Sequence, residues 1–156
     1  MKKVYLVLHD IRSAHNVGSL FRTADGMGVS KIFITGYTPA PVDRFNRKDV
    51  RIAKVSLGAE ESVPWEQGSV TEVLTALKND GVSVVSLEQT PNATPLHQFQ
   101  TDRSVVLVVG NEIEGVSKEV LDMSDTILEI PMKGKKESLN VSNAGAIALF
   151  HLTNSS

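Results

Sequence analysis

The sequence predicts an α/β domain with an open, mostly parallel sheet that is flanked by helices. Two observations carry this prediction. Short apolar runs, nearly continuous rather than alternating, recur along the chain, as they do in strands buried on both faces. Between these runs, apolar residues are spaced by three and four positions, which is typical of amphipathic helices. With 156 residues, of which 41% are hydrophobic, the chain is long enough for one core, and we expect a single domain covering residues 1–156.

Five apolar segments fit strands of this sheet. They cover residues 4–8, 31–35, 82–87, 104–109 and 126–130. The first is too short for a signal peptide or a membrane span, because His9 and Asp10 interrupt it. We therefore expect a buried strand at the start of the chain.

The first and last helices have different compositions. The first is predicted from a stripe of apolar residues at the spacing i, i+3, i+4 and i+7: Val17, Leu20, Phe21 and Ala24. Gly26 and Gly28 follow the stripe and are available to end that helix. The last helix begins near Val141 and consists largely of alanine, glycine and other apolar residues, which is typical of a buried helix.

Two further helices complete the pattern. One covers residues 70–77, where Ser69 and Glu72 form a capping box and Gly81 follows the end. The other covers residues 117–123. The segment 36–54 is left as the one long irregular connection, and long loops in compact domains are usually functional or mobile.

The chain has no cysteine, which excludes disulfides, cysteine zinc sites and thiol nucleophiles. This composition fits a reducing compartment, so we expect a cytoplasmic protein. The four histidines, His9, His15, His97 and His151, have no metal-ligand spacing. We therefore predict no metal site.

Two basic segments lie within a chain whose formal net charge is −2. Residues 43–54 hold five basic residues against two aspartates, and residues 133–137 hold three lysines against one glutamate. Such segments on an otherwise acidic chain fit a phosphate-binding surface, because phosphate contacts need only a local patch. Two ordinary solvated loops are the alternative that charge alone leaves open.

The glycines do not form a nucleotide-binding motif. Gly26 and Gly28 lack the third glycine of a dinucleotide fingerprint, since residue 31 is lysine, and they end a helix where that fingerprint would open one. Gly134 and Lys135 look like the end of a phosphate-binding loop, but no serine or threonine follows them and residue 129 is not glycine. Both nucleotide-binding hypotheses fail.

Three polar segments remain, and each follows a predicted strand. They read HDIRSAHNVGSLFRTADGMGV, GNEIEGVS and IPMKGKKESLNVS. In an open α/β sheet, ligands bind outside the carboxyl ends of the strands, so three such segments can converge on one site.

These segments carry three motifs of a known family. The motifs are Asn16 and Arg22 in the first, Gly110-Asn111-Glu112 with Gly115 in the second, and Ile130-Pro131-Met132 followed by Ser138-Leu139-Asn140-Val141-Ser142 in the third. In this order and at these separations, they resemble the SpoU (TrmH) branch of the SPOUT RNA methyltransferases. The resemblance covers nearly the whole chain.

The resemblance implies an enzyme that uses S-adenosylmethionine to methylate a ribose 2′-hydroxyl of tRNA or ribosomal RNA. We favour tRNA, because a small dimer can address a compact stem-loop. The resemblance also implies a C-terminal trefoil knot and a homodimer. The small residues Ala144, Gly145, Ala146 and Ala148 would permit close packing at both.

The resemblance also implies site residues. The cofactor-binding set is Leu87, Glu88, Gln89, Gly110, Asn111, Gly115, Ile130, Met132 and Leu139. The catalytic set is Arg22, Asn16, Glu112, Ser138 and Asn140. The basic segments supply the predicted RNA-binding residues Arg44, Arg47, Lys48, Arg51, Lys133, Lys135 and Lys136. Tyr37 and Phe45 are able to stack on an unpaired base there, or to anchor the loop.

Arg22 is the residue that we expect to act most directly on the substrate. Because a guanidinium stays protonated, we expect it to hold an RNA phosphate and stabilise developing negative charge rather than to act as a base. Asn16 would orient Arg22 or cap the helix, and Glu112 would pair with Arg22 or anchor Asn16. Ser138 and Asn140 would hydrogen-bond the ribose or the cofactor.

Other interpretations stay open. We expect no separate RNA-binding domain, so either the catalytic domain or an auxiliary protein must hold the RNA. A non-catalytic RNA-binding or ribosome-assembly protein of the same fold is the main alternative from another class. A simple nucleotide-binding α/β protein is a third, and the failed glycine motifs disfavour it.

Overall fold

The computed structural model describes residues 1–155 and has the predicted α/β architecture. The strands are β1 (Val4–His9), β2 (Lys31–Thr35), β3 (Trp65–Gly68), β4 (Ser83–Leu87), β5 (Thr94–Pro95), β6 (Val105–Val109) and β7 (Thr126–Glu129). The α-helices are α1 (Ala14–Met27), α2 (Val50–Ser56), α3 (Ala59–Ser62), α4 (Val70–Asn79), α5 (Lys118–Met123) and α6 (Val141–Asn154). A short 3₁₀ helix covers Leu96–Gln98.

The seven strands form one sheet in the order β3-β2-β1-β6-β4-β7-β5, and every pair in it is parallel. All carboxyl ends therefore meet at one edge of the sheet. The five predicted strands are confirmed, each to within one residue at its ends. The edge strands β3 and β5 were missed, because β3 is short and mostly exposed and β5 has only two residues.

The core lies on both faces of the sheet. On one face, Leu6 and Leu8 of β1 pack in a cluster that includes buried residues of α1 and α6. On the other face, Val7 packs in a cluster with buried residues of α4 and α5. Alternate residues of β1 thus enter opposite layers, which explains why its apolar run is nearly continuous.

Two predictions about loops and caps are wrong. The long connection after β2 ends at Asp49, not at residue 54, because the Asp49 carboxylate accepts the N–H groups of Arg51 and Ile52 and starts α2. This helix escaped the sequence pattern because it buries only Ile52 and Ser56. The N-cap of α1 is Ser13 and not Asn16.

Helices α1 and α6 pack closely against each other. A Cβ atom at Gly145 would lie 2.6 Å from Leu20 Cδ2, so the absence of a side chain there sets the distance between the two helices. Residues 1–155 contain no helix that is long and apolar enough to cross a membrane.

Candidate functional site

A cleft of about 160 Å³ opens at the carboxyl ends of β4, β6 and β7. Its lining includes all nine residues of the predicted cofactor-binding set: Leu87, Glu88, Gln89, Gly110, Asn111, Gly115, Ile130, Met132 and Leu139. The second and third polar segments thus converge at the cleft, as the position of their strands predicts. The first segment supplies no lining residue and joins the other two through hydrogen bonds of Asn16. The binding role of each residue remains a prediction.

The lining also contains residues that the sequence analysis did not assign to the cofactor or catalytic set. These are Val109, Ile113, Glu129, Val141 and Ala144. Val109 and Glu129 are the last residues of β6 and β7, so their position at strand ends is the signal that could have identified them. Ala144 contributes because α6 starts at the cleft, and no sequence signal indicated which of its faces would be turned there.

The chemistry of the lining is apolar and acidic. Leu87, Ile130, Met132, Leu139 and Val141 supply apolar side chains. Three carboxylates, those of Glu88, Glu112 and Glu129, share the cleft with them, whereas no lysine or arginine among residues 1–155 does. A ligand with a flat apolar part and a positive charge fits such a lining.

The loop after β6 forms a tight turn in the wall of the cleft. The N–H of Asn111 donates to the Gly115 carbonyl at 3.0 Å, and the Gly115 N–H donates to the Asn111 carbonyl at 2.9 Å. A Cβ atom on Gly110 would lie 2.5 Å from the Gly115 carbonyl oxygen, so only glycine permits this close approach. The Asn111 Oδ1 atom accepts the N–H groups of Ile113 and Glu114 within the turn.

Glu88 ties this turn to the end of β4. Its Oε2 atom accepts the Val116 N–H at 2.8 Å, and its Oε1 atom accepts the Gln89 N–H at 2.8 Å. The carboxylate also lies directly against Gly115, where a side chain would collide with it. Glu88 therefore fixes the shape of the cleft from within its lining.

Glu112 joins the cleft to the start of α1. Its carboxylate accepts the N–H groups of Arg12 and Ser13, each at 2.9 Å, and the Asn16 side-chain amide at 3.0 Å. Burial raises the pKa of the Glu112 carboxyl, but these hydrogen bonds outweigh burial and hold that pKa below its ordinary value. Of the two contacts considered for Glu112, the one with Asn16 is present in the structure, and its catalytic role stays a prediction.

Asn140 completes this network from the third segment. Its side-chain amide donates to Asn16 Oδ1 at 3.4 Å, and its own Oδ1 atom accepts the N–H groups of Ser142 and Asn143 as the N-cap of α6. Ser138 lines the cleft beside it. Four of the five predicted catalytic residues are therefore close together.

Arg22 is the exception. It lies on α1 six residues beyond Asn16, about 9 Å along the axis and about 120° around it. Its side chain is exposed and borders a hollow formed by α1 and α6, with Ile147 and Phe150 on the opposite side. Within residues 1–155, Arg22 makes no salt bridge, so it does not pair with Glu112 of its own chain.

The two basic segments differ in their internal pairing. In the first, Arg47 pairs with Asp43 at 2.9 Å, Arg51 with Asp49 at 2.7 Å, and Lys48 with Glu61 at 3.3 Å. Arg44 and Arg47 also lie over the exposed Phe45 ring, at 4.8 and 4.9 Å from its centroid. In the second, Lys133, Lys135 and Lys136 are exposed and make no ion pair with any described residue.

A metal site is not indicated in the part of the chain that the structure describes. No group of three histidine, aspartate or glutamate side chains there could hold a metal ion.

Comparison with known proteins places this architecture in a family. The model of the SpoU rRNA Methylase family matches residues 3–150. A TrmH family protein of Staphylococcus aureus (strain COL) is 34% identical over 148 residues, which are 94% of this chain and 57% of that protein. The 23S rRNA (guanosine(2553)-2′-O)-methyltransferase of Bacillus subtilis (strain 168) is 32% identical over 147 residues, 94% of this chain and 56% of that enzyme.

A solved structure agrees with these sequence matches. The AdoMet-bound rRNA methyltransferase from Sinorhizobium meliloti superposes with a TM-score of 0.86 at 26% identity, over 96% of this chain and 55% of that one. The chain thus spans a little more than half the length of the relatives that it matches.

Proposed function

The chain belongs to the SpoU rRNA methylase family, and from that premise we propose that it transfers a methyl group from S-adenosylmethionine to a ribose 2′-hydroxyl of RNA. The observation that carries the proposal is the convergence of Asn16, Glu112 and Asn140 beside an apolar, acidic cleft. The names of the relatives support it, since they include a 2′-O-methyltransferase and an AdoMet-bound enzyme.

The cleft fits the cofactor. S-adenosylmethionine supplies an electrophilic methyl group on a positively charged sulfur. The apolar side chains of Leu87, Ile130 and Leu139 would hold the adenine, and the exposed backbone of residues 130–139 would hydrogen-bond its edge. The carboxylates of Glu112 and Glu129 give the cleft a negative potential that suits a cation.

Positioning is the main task of the remaining residues. An in-line methyl transfer requires the ribose oxygen to be aligned with the methyl group, and its proton must leave. We assign alignment to the Asn16–Glu112–Asn140 network and to the Ser138 hydroxyl at the mouth of the cleft. Arg22 would hold an RNA phosphate and stabilise negative charge as it develops on the oxygen.

A homodimer would solve the problem that Arg22 lies outside the cleft. The outer face of α6 exposes Ile147 and Phe150, at 46% and 60% of their surface, directly beside Arg22. Pairing of two copies through this face would cover the apolar side chains. It would also carry Arg22 of one copy toward the cleft of the other, and we propose that this is how the site is completed.

We also propose the C-terminal trefoil knot of the family. The chain leaves β7, passes the cleft through residues 130–140 and returns along α6 to pack on α1, β6 and β4. This path, together with the family likeness, supports a chain threaded beneath the loop after β6. A knot has no basis in packing rules alone.

The RNA would lie along the edge where the strand ends meet. The two basic segments supply phosphate contacts, and the relatives act on tRNA or ribosomal RNA according to their names. We propose RNA of these classes as substrate, with an auxiliary protein as an added requirement if the isolated chain binds RNA weakly.

The test is transfer of a labelled methyl group from S-adenosylmethionine to RNA taken from cells that lack this protein, separated into tRNA and ribosomal RNA. Label at a nucleotide that resists alkaline cleavage is expected, because 2′-O-methylation blocks that cleavage. Arg22→Ala should give none. Cofactor binding without label, even after cell extract is added, would contradict the proposed activity.

A further inference from the structure

The aromatic ring of Tyr37 is exposed to solvent, and hydrogen bonds hold it at both ends. It follows β2 at the edge where the strand ends meet, and 58% of its surface is exposed. Its backbone N–H donates to the Asp10 carboxylate at 3.2 Å, and its hydroxyl oxygen accepts the Asn111 side-chain amide at 2.7 Å. An exposed ring that is held at both ends loses little freedom when a ligand binds to it.

Asn111 links this ring to the cleft. Its side-chain nitrogen divides its two hydrogens between the Asp10 carbonyl oxygen and the Tyr37 hydroxyl, while its Oδ1 atom accepts two N–H groups of the turn after β6. The orientation of the amide is therefore fixed by four partners. Asn111 itself lines the cleft, so the Tyr37 ring lies one side chain away from it.

The hydroxyl hydrogen of Tyr37 is available to be donated in a further hydrogen bond. Because the oxygen accepts from Asn111, its own hydrogen points elsewhere, and no acceptor for it occurs among residues 1–155. A ligand stacked on the ring could therefore also receive a hydrogen bond. Phosphate oxygens and base carbonyls are acceptors of this kind.

We propose that Tyr37 is a stacking platform for an unpaired base of the RNA, either the target nucleotide or its neighbour. The inference rests on the proposed function and adds the residue that orders the substrate next to the cleft. Base–aromatic stacking tolerates any sequence, because every base has a flat face. Tyr37 would thus position the nucleotide, and specificity would come from the surrounding groups.

The path of the RNA beyond Tyr37 follows from the same segment. Further along the same loop, Arg44 and Arg47 lie over the exposed Phe45 ring. A strand that stacks on Tyr37 can continue along this loop, with its phosphates near the guanidinium groups. Tyr37 is the inner contact of this path, and the Phe45 cluster is the outer one.

The experiment compares Tyr37→Leu, which removes the ring, with Tyr37→Phe, which keeps it. We expect kcat/KM for RNA to fall about tenfold or more in Tyr37→Leu and to fall clearly less in Tyr37→Phe. The affinity for S-adenosylmethionine should change by less than about twofold in both, because Tyr37 does not line the cleft. Equal losses in the two variants, or no loss in Tyr37→Leu, would overturn the proposal.

A binding readout separates this inference from the proposed activity. The wild-type protein is mixed with tRNA or ribosomal RNA in which uridine is partly replaced by 4-thiouridine, irradiated, and digested for peptide mapping. A cross-link at Tyr37 supports the platform even if no methyl group is transferred. Methyl transfer with cross-links only elsewhere overturns the platform and leaves the activity standing. Absence of any RNA binding, even after cell extract is added, overturns both.

Discussion

The side-chain amide of Asn16 donates a 3.0 Å hydrogen bond to the carboxylate of Glu112, 96 residues further along the chain. The N–H groups of Arg12 and Ser13 donate to the same carboxylate. Hydrogen bonds to a charged acceptor are stronger than neutral ones, so this carboxylate holds the start of α1 against the cleft. Stability and cofactor binding should therefore both depend on the charge of Glu112.

Replacement of Glu112 by glutamine should destabilise the protein in a pH-dependent way. The pKa of Glu112 is depressed in the folded protein, so its contribution is present above the unfolded pKa of about 4.3 and is lost as pH falls through the folded value. We expect Glu112→Gln to lower the free energy of unfolding by about 1–3 kcal/mol at pH 7. The difference should shrink near pH 3.

Urea unfolding at the two pH values measures this difference. Glu114→Gln is the matched control, because Glu114 is an exposed carboxylate of the same turn and accepts no hydrogen bond from a described residue. A loss in Glu112→Gln that is the same at pH 7 and pH 3 would show that the charge has no role.

We expect Arg22 to act at the cleft of the partner copy rather than at the cleft of its own chain. We expect Arg22→Ala to lose methyl transfer while binding S-adenosylmethionine nearly as well as the wild type, because Arg22 does not line the cleft. Leu139→Glu should lose cofactor binding, because it places a polar group in the apolar lining. In a mixed dimer, the Arg22→Ala copy keeps an intact cleft and the Leu139→Glu copy keeps its arginine. If the arginine acts across the dimer, one complete site remains.

Activity of the mixture is the decisive measurement. The two variants are unfolded together, refolded and assayed, with each variant refolded alone as control. Random pairing makes about half of the dimers mixed, and each mixed dimer has one complete site of two. We therefore expect up to about a quarter of the wild-type activity. A mixture as inactive as its components would show that Arg22 serves its own cleft.

If the chain forms the proposed homodimer, the exposed face of α6 should be its interface. We expect Phe150→Glu to raise the dimer dissociation constant by about 100-fold or more, because it removes an apolar ring from the interface and puts a charged group that must lose its water in its place. Leu57→Glu is the control, since Leu57 is equally exposed but lies at the end of α2, away from this face. Sedimentation equilibrium gives the dissociation constants. A similar change in both variants, or in neither, would place the interface elsewhere.

Much of this molecule could be predicted from its sequence, because local signals agree with the fold. The buried strands are marked by continuous apolar runs and α1 by its apolar stripe, and parallel pairing then brings the polar segments to one edge. The edge strands β3 and β5 carry no such signal, since they bury few side chains. Helix α2 was missed for the same reason.

Details of the site could be predicted only where a motif specifies them. The nine residues of the predicted cofactor set all line the cleft, yet the partners of Glu112 depend on how two distant loops pack. The separation of Arg22 from the cleft follows from helix geometry, because residues six apart point to different faces. The tie between Asn111 and Tyr37 spans 74 residues and has no local signature.

The two basic segments should contribute unequally to RNA affinity. Arg47 and Arg51 already pair with aspartates, whereas Lys135 and Lys136 pair with no described carboxylate and are free to replace counterions on RNA. We expect the double change Lys135→Ala and Lys136→Ala to reduce the slope of log K against log salt by about 1.4 for single-stranded RNA. The double change Arg47→Ala and Arg51→Ala should reduce this slope by less. Filter binding at several salt concentrations measures the slope for both double variants. The opposite order would assign the main phosphate contacts to the loop after β2.

A single methyl group at Gly110 should disturb the cleft. The Cβ atom of Gly110→Ala would lie 2.5 Å from the Gly115 carbonyl oxygen, a backbone atom that cannot move without breaking the paired bonds between Asn111 and Gly115. We expect the free energy of unfolding to fall by about 1–3 kcal/mol and the affinity for S-adenosylmethionine to fall about tenfold or more. Gly134→Ala is the control, because a Cβ atom there meets nothing within 4 Å. Thermal unfolding measures the stability, and calorimetric titration measures the affinity. If Gly110→Ala is as stable as Gly134→Ala and its affinity is unchanged, the turn after β6 does not shape the cofactor site.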